Sequence, residues 1–210
     1  MNSYLLAFDY IGVVLFAATG ALSASRRELD ILGFVFFAIL TGIGGGTVRD
    51  VVLGVEVFWV GQPTYLVACS VPALVLFFTA HLIEYRYRAL QWLDAAAVAL
   101  FAVLGAQKGL ILTGSPSVAI LMGTMTATLG GILRDTLAGE PNAIIRPEIY
   151  ITAAIAGAVA LVVLKSVGLD GNLAALLGGL VAFALRGGAL AFGWTLPRYR
   201  ARAGRPIDRA

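Results

Sequence analysis

Apolar residues occupy most of the chain in long runs, and short polar segments separate one run from the next. The runs extend for roughly 18–25 residues, the length of an α-helix that crosses the hydrocarbon core of a bilayer. The pattern predicts an all-α integral membrane protein with seven membrane-spanning helices. Their predicted positions are 4–24, 31–57, 64–83, 91–112, 116–139, 148–167 and 172–193.

The composition agrees with a membrane protein. Hydrophobic residues make up 60% of the 210 residues and charged residues only 13%, which is too little polar surface for a soluble domain. The first 24 residues also have some features of a signal peptide, but no Lys or Arg precedes their apolar run and Asp9 interrupts it. We therefore interpret 4–24 as the first membrane helix. Cys69 is the only cysteine, so this sequence has no disulfide framework.

A sequence repeat with a fixed offset of 85 residues runs through the first six predicted helices. Its most distinctive part is a glycine run followed by an Arg-Asp pair: GIGGGTVRD ends at Asp50 and ATLGGILRD ends at Asp135. The same offset relates three further pairs, which are Asp9 and Asp94, Thr41 and Thr126, and Tyr65 and Tyr150. Each unit contains three predicted helices, an odd number, so the second unit must enter the membrane in the opposite orientation.

The repeat predicts four parts of the chain. They are a first three-helix repeat at 1–88, an inverted second repeat at 89–168, a seventh helix at 169–196 and a basic tail at 197–210. Arginines concentrate on one side of the predicted membrane, which places the C-terminus in the cytoplasm and the N-terminus outside. A basic tail in this position favours contact with anionic membrane lipid, and we expect no nucleic-acid partner.

The glycine runs predict a local interruption of the second and fifth helices. They comprise Gly44, Gly45 and Gly46 in the first repeat and Gly130 and Gly131 in the second. An interruption would free backbone groups that lipid cannot satisfy, so it would have to face protein or a water-filled cavity. Hydroxyl groups lie near these points, at Thr41, Thr47 and Thr126. The alternative is that the glycines only allow helices to pack closely.

The two Arg-Asp pairs place four charges inside predicted membrane helices, and each charge costs roughly 2.5–3.5 kcal/mol at a helix centre. Because adjacent residues on a helix do not face each other, we expect pairing across the repeats. Arg49 would then meet Asp135, and Arg134 would meet Asp50. Such pairs could be an ion-pair lock or part of a polar pathway. The pathway could conduct cations past carbonyl and hydroxyl oxygens, or hold an anion among arginines and backbone N–H groups.

Two further basic residues lie inside predicted helices. Lys108, near the end of the fourth helix, either extends to the interface or points into the pathway as a movable charge. Arg186, in the seventh helix, could extend to the cytoplasmic interface, and we treat both residues as candidates for gating. The sequence contains no HExxH motif, Cys/His cluster or phosphate-binding loop. It therefore predicts neither an enzyme nor a cofactor or metal site.

With GIGGGTVRD and LGGILRD in two inverted units, residues 4–193 resemble the bacterial branch of the TRIC family, the trimeric intracellular cation channels. The resemblance implies a homotrimer in the inner membrane, with a separate pore in each protomer that conducts monovalent cations, chiefly potassium. It also implies that the second and fifth helices bend at their glycines and line the pore. Leu129 replaces the counterpart of Gly44, so we expect a weaker second bend. Animal members carry a gating lysine on the fourth helix, where Lys108 is the available lysine.

Three functions therefore remain open on the sequence alone. The first is a passive channel for potassium and other monovalent cations. The second is a secondary transporter of a small solute such as an amino acid, since bacterial TRIC relatives also carry a glycine-transporter-like domain label and transporters place sites on broken helices. The third is a membrane scaffold in which the Arg-Asp pairs only lock the repeats together.

Overall fold

The computed structural model describes residues 3–83, 86–142, 144–145 and 148–197. These residues form seven long helices, one short helix and a 3-10 turn at Ala80–Leu82. The helices are α1 (Ser3–Arg26), α2 (Ile31–Val52), α3 (Phe58–Gly61), α4 (Thr64–Thr79), α5 (Arg86–Thr113), α6 (Pro116–Leu137), α7 (Ile151–Ser166) and α8 (Gly171–Phe192). Six spans are long and apolar enough to cross a membrane, if α4 is counted together with the 3-10 turn as Thr64–Leu82, and α7 is a shorter apolar helix. The predicted all-α membrane fold is confirmed.

The second helix ends before its predicted boundary at residue 57. Gly54 has a φ of 67°, a left-handed conformation that glycine adopts without strain, and it follows the last turn of α2. The N–H of Val55 donates to the carbonyl of Asp50 at 3.0 Å, which closes a Schellman motif. The same motif ends α6, where Gly139 has a φ of 63° and Glu140 N–H donates to Asp135 at 2.9 Å. In the first repeat, the freed segment 58–61 forms α3.

Helix packing repeats between the two halves of the chain. α1 packs on α2 and α4 in the first half, and α5 packs on α6 and α7 in the second. Two equivalent pairs meet in the centre, α1 with α5 and α2 with α6. The rings of Phe16 and Phe101, which are 85 residues apart in sequence, lie there with their centroids 5.3 Å apart. These contacts are those expected of an inverted repeat with a pseudo-twofold axis between the halves.

Glycines bring α2 and α6 into backbone contact at this centre. A Cβ added to Gly45 would overlap the carbonyl oxygen of Thr126, and one added to Gly130 would overlap the carbonyl oxygen of Thr41. The two contacts are equivalent under the 85-residue offset. Small residues allow this close approach of membrane helices, so any side chain here would force the helices apart.

α8 has no counterpart in the repeat and packs on α5 and α7. Asp170 caps its first turn by accepting from the N–H groups of Asn172 and Leu173. Near the other end of α8, Arg186 points back toward the segment that leads into α7. That segment is not helical as predicted from 148, because Glu148 forms an isolated bridge with Thr195 and α7 begins at Ile151.

Candidate ion-pathway site

α2 and α6 remain helical through both glycine runs. α2 is continuous from Ile31 to Val52 and α6 from Pro116 to Leu137, so the predicted interruption of the helices is wrong. The glycines have close neighbours instead. Gly44 faces Leu133, Gly46 faces the Phe58 ring, and Gly131 faces the hydroxyl of Tyr150. Close packing, the alternative to an interruption, accounts for the glycines in this structure.

The threonine hydroxyls near the glycines bond to their own helices. Thr41 and Thr126 each donate at 2.6 Å to the carbonyl four residues earlier. Thr47 donates to Ile43 at 2.8 Å and accepts from the indole N–H of Trp59 at 2.9 Å. Each of these three hydroxyl groups already donates its proton to a backbone carbonyl in this conformation. Only the lone pairs of their oxygens could therefore coordinate a cation.

The first charged cluster is built around Asp50, whose side chain is fully buried. Its Oδ1 accepts from Arg49 Nε at 2.7 Å and from Lys108 Nζ at 2.8 Å. Its Oδ2 accepts from the backbone N–H of Phe58 at 3.1 Å, so α3 is held against the carboxylate. Arg49 is 4% exposed, whereas the Lys108 side chain is 33% exposed. We call Arg49, Asp50 and Lys108 the Asp50 cluster.

The second charged cluster is built around Arg134, which is also buried. Its Nε donates to Asp135 at 2.9 Å, and its Nη1 donates to Asp94 and to the Thr19 hydroxyl, both at 2.8 Å. The Asp135 side chain is 18% exposed, and Asp94 is buried. We call Arg134, Asp94, Asp135 and Thr19 the Arg134 cluster.

The predicted cross-pairing of the Arg-Asp motifs is wrong. Each arginine pairs with the aspartate that follows it, because a long guanidinium side chain can fold along the helix even though adjacent Cβ atoms diverge. Ion pairs do join the repeats, but through other residues. Lys108 reaches Asp50 from α5, and Arg26 at the end of α1 reaches Glu140 at 2.9 Å.

Two tyrosines related by the offset lie beside the clusters in different ways. Tyr65 donates to Asp9 Oδ2 at 2.6 Å and stacks on the ring of Tyr10. Tyr150 instead lies under Arg186, whose guanidinium carbon is 5.0 Å from the ring centroid. Tyr65 and Tyr150 are 85 residues apart, as are Asp9 and Asp94. This shared spacing is the sequence feature from which both tyrosines could have been added to the predicted site.

Arg186 is buried inside the protein. Its Nη2 forms an ion pair with Glu148 at 2.8 Å, and its Nη1 lies 3.5 Å from the carbonyl of Ile149. It therefore holds the segment that precedes α7 against α8. Thr19 was not predicted at all, because a single threonine in an apolar helix has no repeat counterpart to distinguish it.

The chain is similar to known membrane proteins along most of its length. A family model described as a glycine transporter matches it twice, at residues 6–81 and 91–166. A crystal structure of the TRIC trimeric intracellular cation channel orthologue from Rhodobacter sphaeroides is 49% identical with a TM-score of 0.89, and the match covers 92% of this chain and 100% of that one.

Two curated relatives extend the likeness to other bacteria. A UPF0126 membrane protein of Vibrio cholerae is 35% identical over 94% of this chain and 84% of its own length. The UPF0126 inner membrane protein YadS of Escherichia coli is 38% identical over 72% of this chain and 74% of its own. The two segments matched by the family model are themselves offset by 85 residues at both ends, which agrees with the repeat.

Proposed function

Because the chain belongs to the bacterial branch of the TRIC family, we propose that it is an inner-membrane cation channel that conducts potassium and other monovalent cations. One observation carries the proposal. Two clusters of buried charge, related by the repeat, flank the crossing of α2 and α6 in a fold that matches a TRIC channel over 92% of the chain. Buried charges in membrane helices are costly and commonly mark an ion pathway.

The proposed pathway runs between the Asp50 cluster and the Arg134 cluster along α2 and α6. Its proposed lining residues are Thr41, Gly44, Gly45, Gly46, Thr47, Arg49, Asp50, Thr126, Gly130, Gly131, Arg134 and Asp135. At the crossing the two backbones touch, which leaves no room for an ion between Gly45 and Thr126. We infer that conduction requires α2 and α6 to bend or separate at their glycines. Bending would release carbonyl oxygens that can replace part of the hydration shell of a cation.

Lys108 is the proposed gate of the Asp50 cluster. Its ammonium group neutralises Asp50 while its side chain remains one-third exposed, so the ion pair can open without burying a new charge. An open Lys108 would leave Asp50 available to an incoming cation. Arg186 is a weaker candidate for gating, since movement would break its ion pair with Glu148 and leave a buried guanidinium unpaired.

The assembly and orientation are part of the proposal. Trimeric channels of this family support a homotrimer with one pathway per protomer, and the repeat supports units at 1–88 and 89–168. The bias of basic residues supports a cytoplasmic C-terminus. Exposed apolar side chains on α4, such as Val67, Val71 and Val75, suit contact with lipid. Residues 198–210 of the basic tail lie outside the described part of the chain.

Single-channel recording on the purified protein in planar bilayers tests the proposed function. With a potassium chloride gradient across the bilayer, we expect discrete currents that reverse near the potassium equilibrium potential. Reversal near the chloride potential would support an anion site among the arginines instead. Silent bilayers from folded protein would contradict the channel.

A secondary transporter of a small solute is the second candidate, because the matching family model is described as a glycine transporter. Uptake of radiolabelled glycine into proteoliposomes separates the two. Saturable uptake without discrete currents would favour the transporter, whereas currents without uptake favour the channel.

A further inference from the structure

A small cavity lies beside the Arg134 cluster, where α5, α6, α8 and the segment before α7 meet. Its volume is about 20 Å³, and Asp94, Arg134, Tyr150 and Arg186 are among the residues that line it. A cavity needs on the order of 10–15 Å³ of such space to hold a water molecule, together with two to four polar partners. The cavity therefore has room for a water molecule beside these polar groups.

Two buried polar atoms of the cavity walls have no hydrogen-bond partner within the described part of the protein. They are the hydroxyl oxygen of Tyr150, a residue that is 2% exposed, and Nε of Arg186, which is 4% exposed. A buried donor without a partner costs about 1–3 kcal/mol, so native proteins rarely leave two of them together. Water has the hydrogen-bonding groups that both atoms lack, because its oxygen can accept from Arg186 Nε and bond to the Tyr150 hydroxyl.

Gly131 brings the hydroxyl of Tyr150 close to the Arg134 cluster. A Cβ added to Gly131 would overlap this hydroxyl, and it would lie 3.4 Å from Asp94 Oδ1 and 3.5 Å from Arg134 Nη2. The tyrosine, the aspartate and the guanidinium therefore converge on the side of α6 that has no side chain. In the first half, by contrast, Gly46 faces the Phe58 ring and Tyr65 bonds directly to Asp9.

We propose that this cavity is a hydration site that holds one ordered water molecule, which links Tyr150 Oη and Arg186 Nε to the Asp94–Arg134 pair. The water takes the place that the direct tyrosine–aspartate hydrogen bond has in the first half. It is needed because Asp94 is turned toward Arg134 and Tyr150 is held under Arg186. If the protein is a channel, as proposed above, this site is the hydrated end of the pathway on the Arg134 side, and the water connects α8 to it.

A high-resolution crystal structure of the full chain tests the site directly. We expect one density peak in the cavity, at a hydrogen-bond distance of about 2.5–3.0 Å from Tyr150 Oη. The peak should be absent in Gly131→Ala and Tyr150→Phe, and it should persist in the matched first-half variant Tyr65→Phe. An empty cavity, or a direct hydrogen bond from Tyr150 to Asp94, would overturn the proposal. An anomalous peak at this position in crystals grown with rubidium would also overturn it, since the occupant would then be a cation.

Conductance measurements test the role of the water separately. We expect Tyr150→Phe to lower the potassium conductance of the folded protein several-fold more than Tyr65→Phe does. Equal conductance in the wild type and in Tyr150→Phe, with the density peak lost only in the variant, would make the water purely structural and overturn its role in conduction. If the wild type itself conducts nothing, the proposed channel function fails, while the density peak still decides whether the water site exists.

Discussion

The two halves of the molecule place the same Arg-Asp motif in opposite chemical settings. In the Asp50 cluster one buried carboxylate accepts from two cations, Arg49 and Lys108. In the Arg134 cluster one buried guanidinium donates to two carboxylates, Asp94 and Asp135. The central charged group is therefore an anion, Asp50, in the first half and a cation, Arg134, in the second. A duplicated sequence motif has therefore produced two sites that are not duplicates.

Residues outside the Arg-Asp motif contribute to this difference. Lys108 corresponds to Ser23 under the 85-residue offset, so the first half supplies no second cation to the Arg134 cluster. Thr19 corresponds to Leu104, so the second half supplies no hydroxyl to Arg49. Both unmatched residues reach across the pseudo-twofold axis to the opposite half. Each half therefore supplies the cluster of the other half with one residue that has no repeat counterpart, while the matched aspartates Asp9 and Asp94 take different partners.

The largest expected effect separates the two aspartates that follow the arginines. Asp50→Ala removes a fully buried carboxylate and leaves Arg49 and the Phe58 N–H without their acceptor, so we expect a loss of about 3–5 kcal/mol in the free energy of unfolding. Asp135→Ala should cost clearly less, because Asp135 is partly exposed and Arg134 keeps Asp94. Steric trapping in bicelles measures both values. Equal losses of unfolding free energy in the two variants would show that both aspartates stabilise the protein equally. That result would contradict the proposed difference between the two clusters.

A smaller but symmetric effect is expected at the helix crossing. Gly45→Ala and Gly130→Ala each place a methyl group against a backbone carbonyl, and overpacking of this kind costs about 1–3 kcal/mol. The two values should agree, since the contacts are equivalent under the repeat. The same unfolding assay compares them. A large effect from only one glycine would show that the central crossing is as asymmetric as the clusters.

The smallest expected effect tests the contact between Thr19 and Arg134. Thr19→Val removes the one hydroxyl acceptor among Thr19, Asp94 and Asp135, which accept from the Arg134 guanidinium, with an expected cost of about 1 kcal/mol. Thr41→Val is the matched control and should cost less, because the Thr41 hydroxyl donates within its own helix. A Thr19→Val protein that is as stable as the wild type, with Thr41→Val destabilised, would remove Thr19 from the cluster.

The helices and the repeat could be predicted from the sequence, because each rests on a periodic signal. The apolar runs predicted seven long helices. The 85-residue offset led us to expect pairing across the repeats, which implies that α2 and α6 are neighbours. The end of α2 was missed although Gly54 and Gly139 repeat in sequence, because only the backbone conformation shows that each closes a Schellman motif. The short helix α3 followed from that early end.

The partners inside the clusters could not be predicted, because they depend on side-chain length and on unmatched residues. Arg49 can reach Asp50 only by folding along α2, which the spacing of Cβ positions does not suggest. Lys108 was identified as a candidate charge, but its partner became clear only when α5 was seen to pack beside Asp50. The repeat therefore predicted the matched positions of the charged residues but not their contacts.

The most direct test of the central claim is the single-channel current of Asp50→Asn, recorded in a potassium chloride gradient and compared with the wild type and Asp135→Asn. Asparagine keeps the shape of the side chain but leaves Arg49 and Lys108 without a neutralising carboxylate. We expect folded Asp50→Asn protein to conduct potassium poorly and to reverse closer to the chloride potential, with a smaller change in Asp135→Asn. Unchanged conductance and reversal potential in both folded variants would contradict a cation pathway through these clusters and leave the Arg-Asp pairs as structural locks.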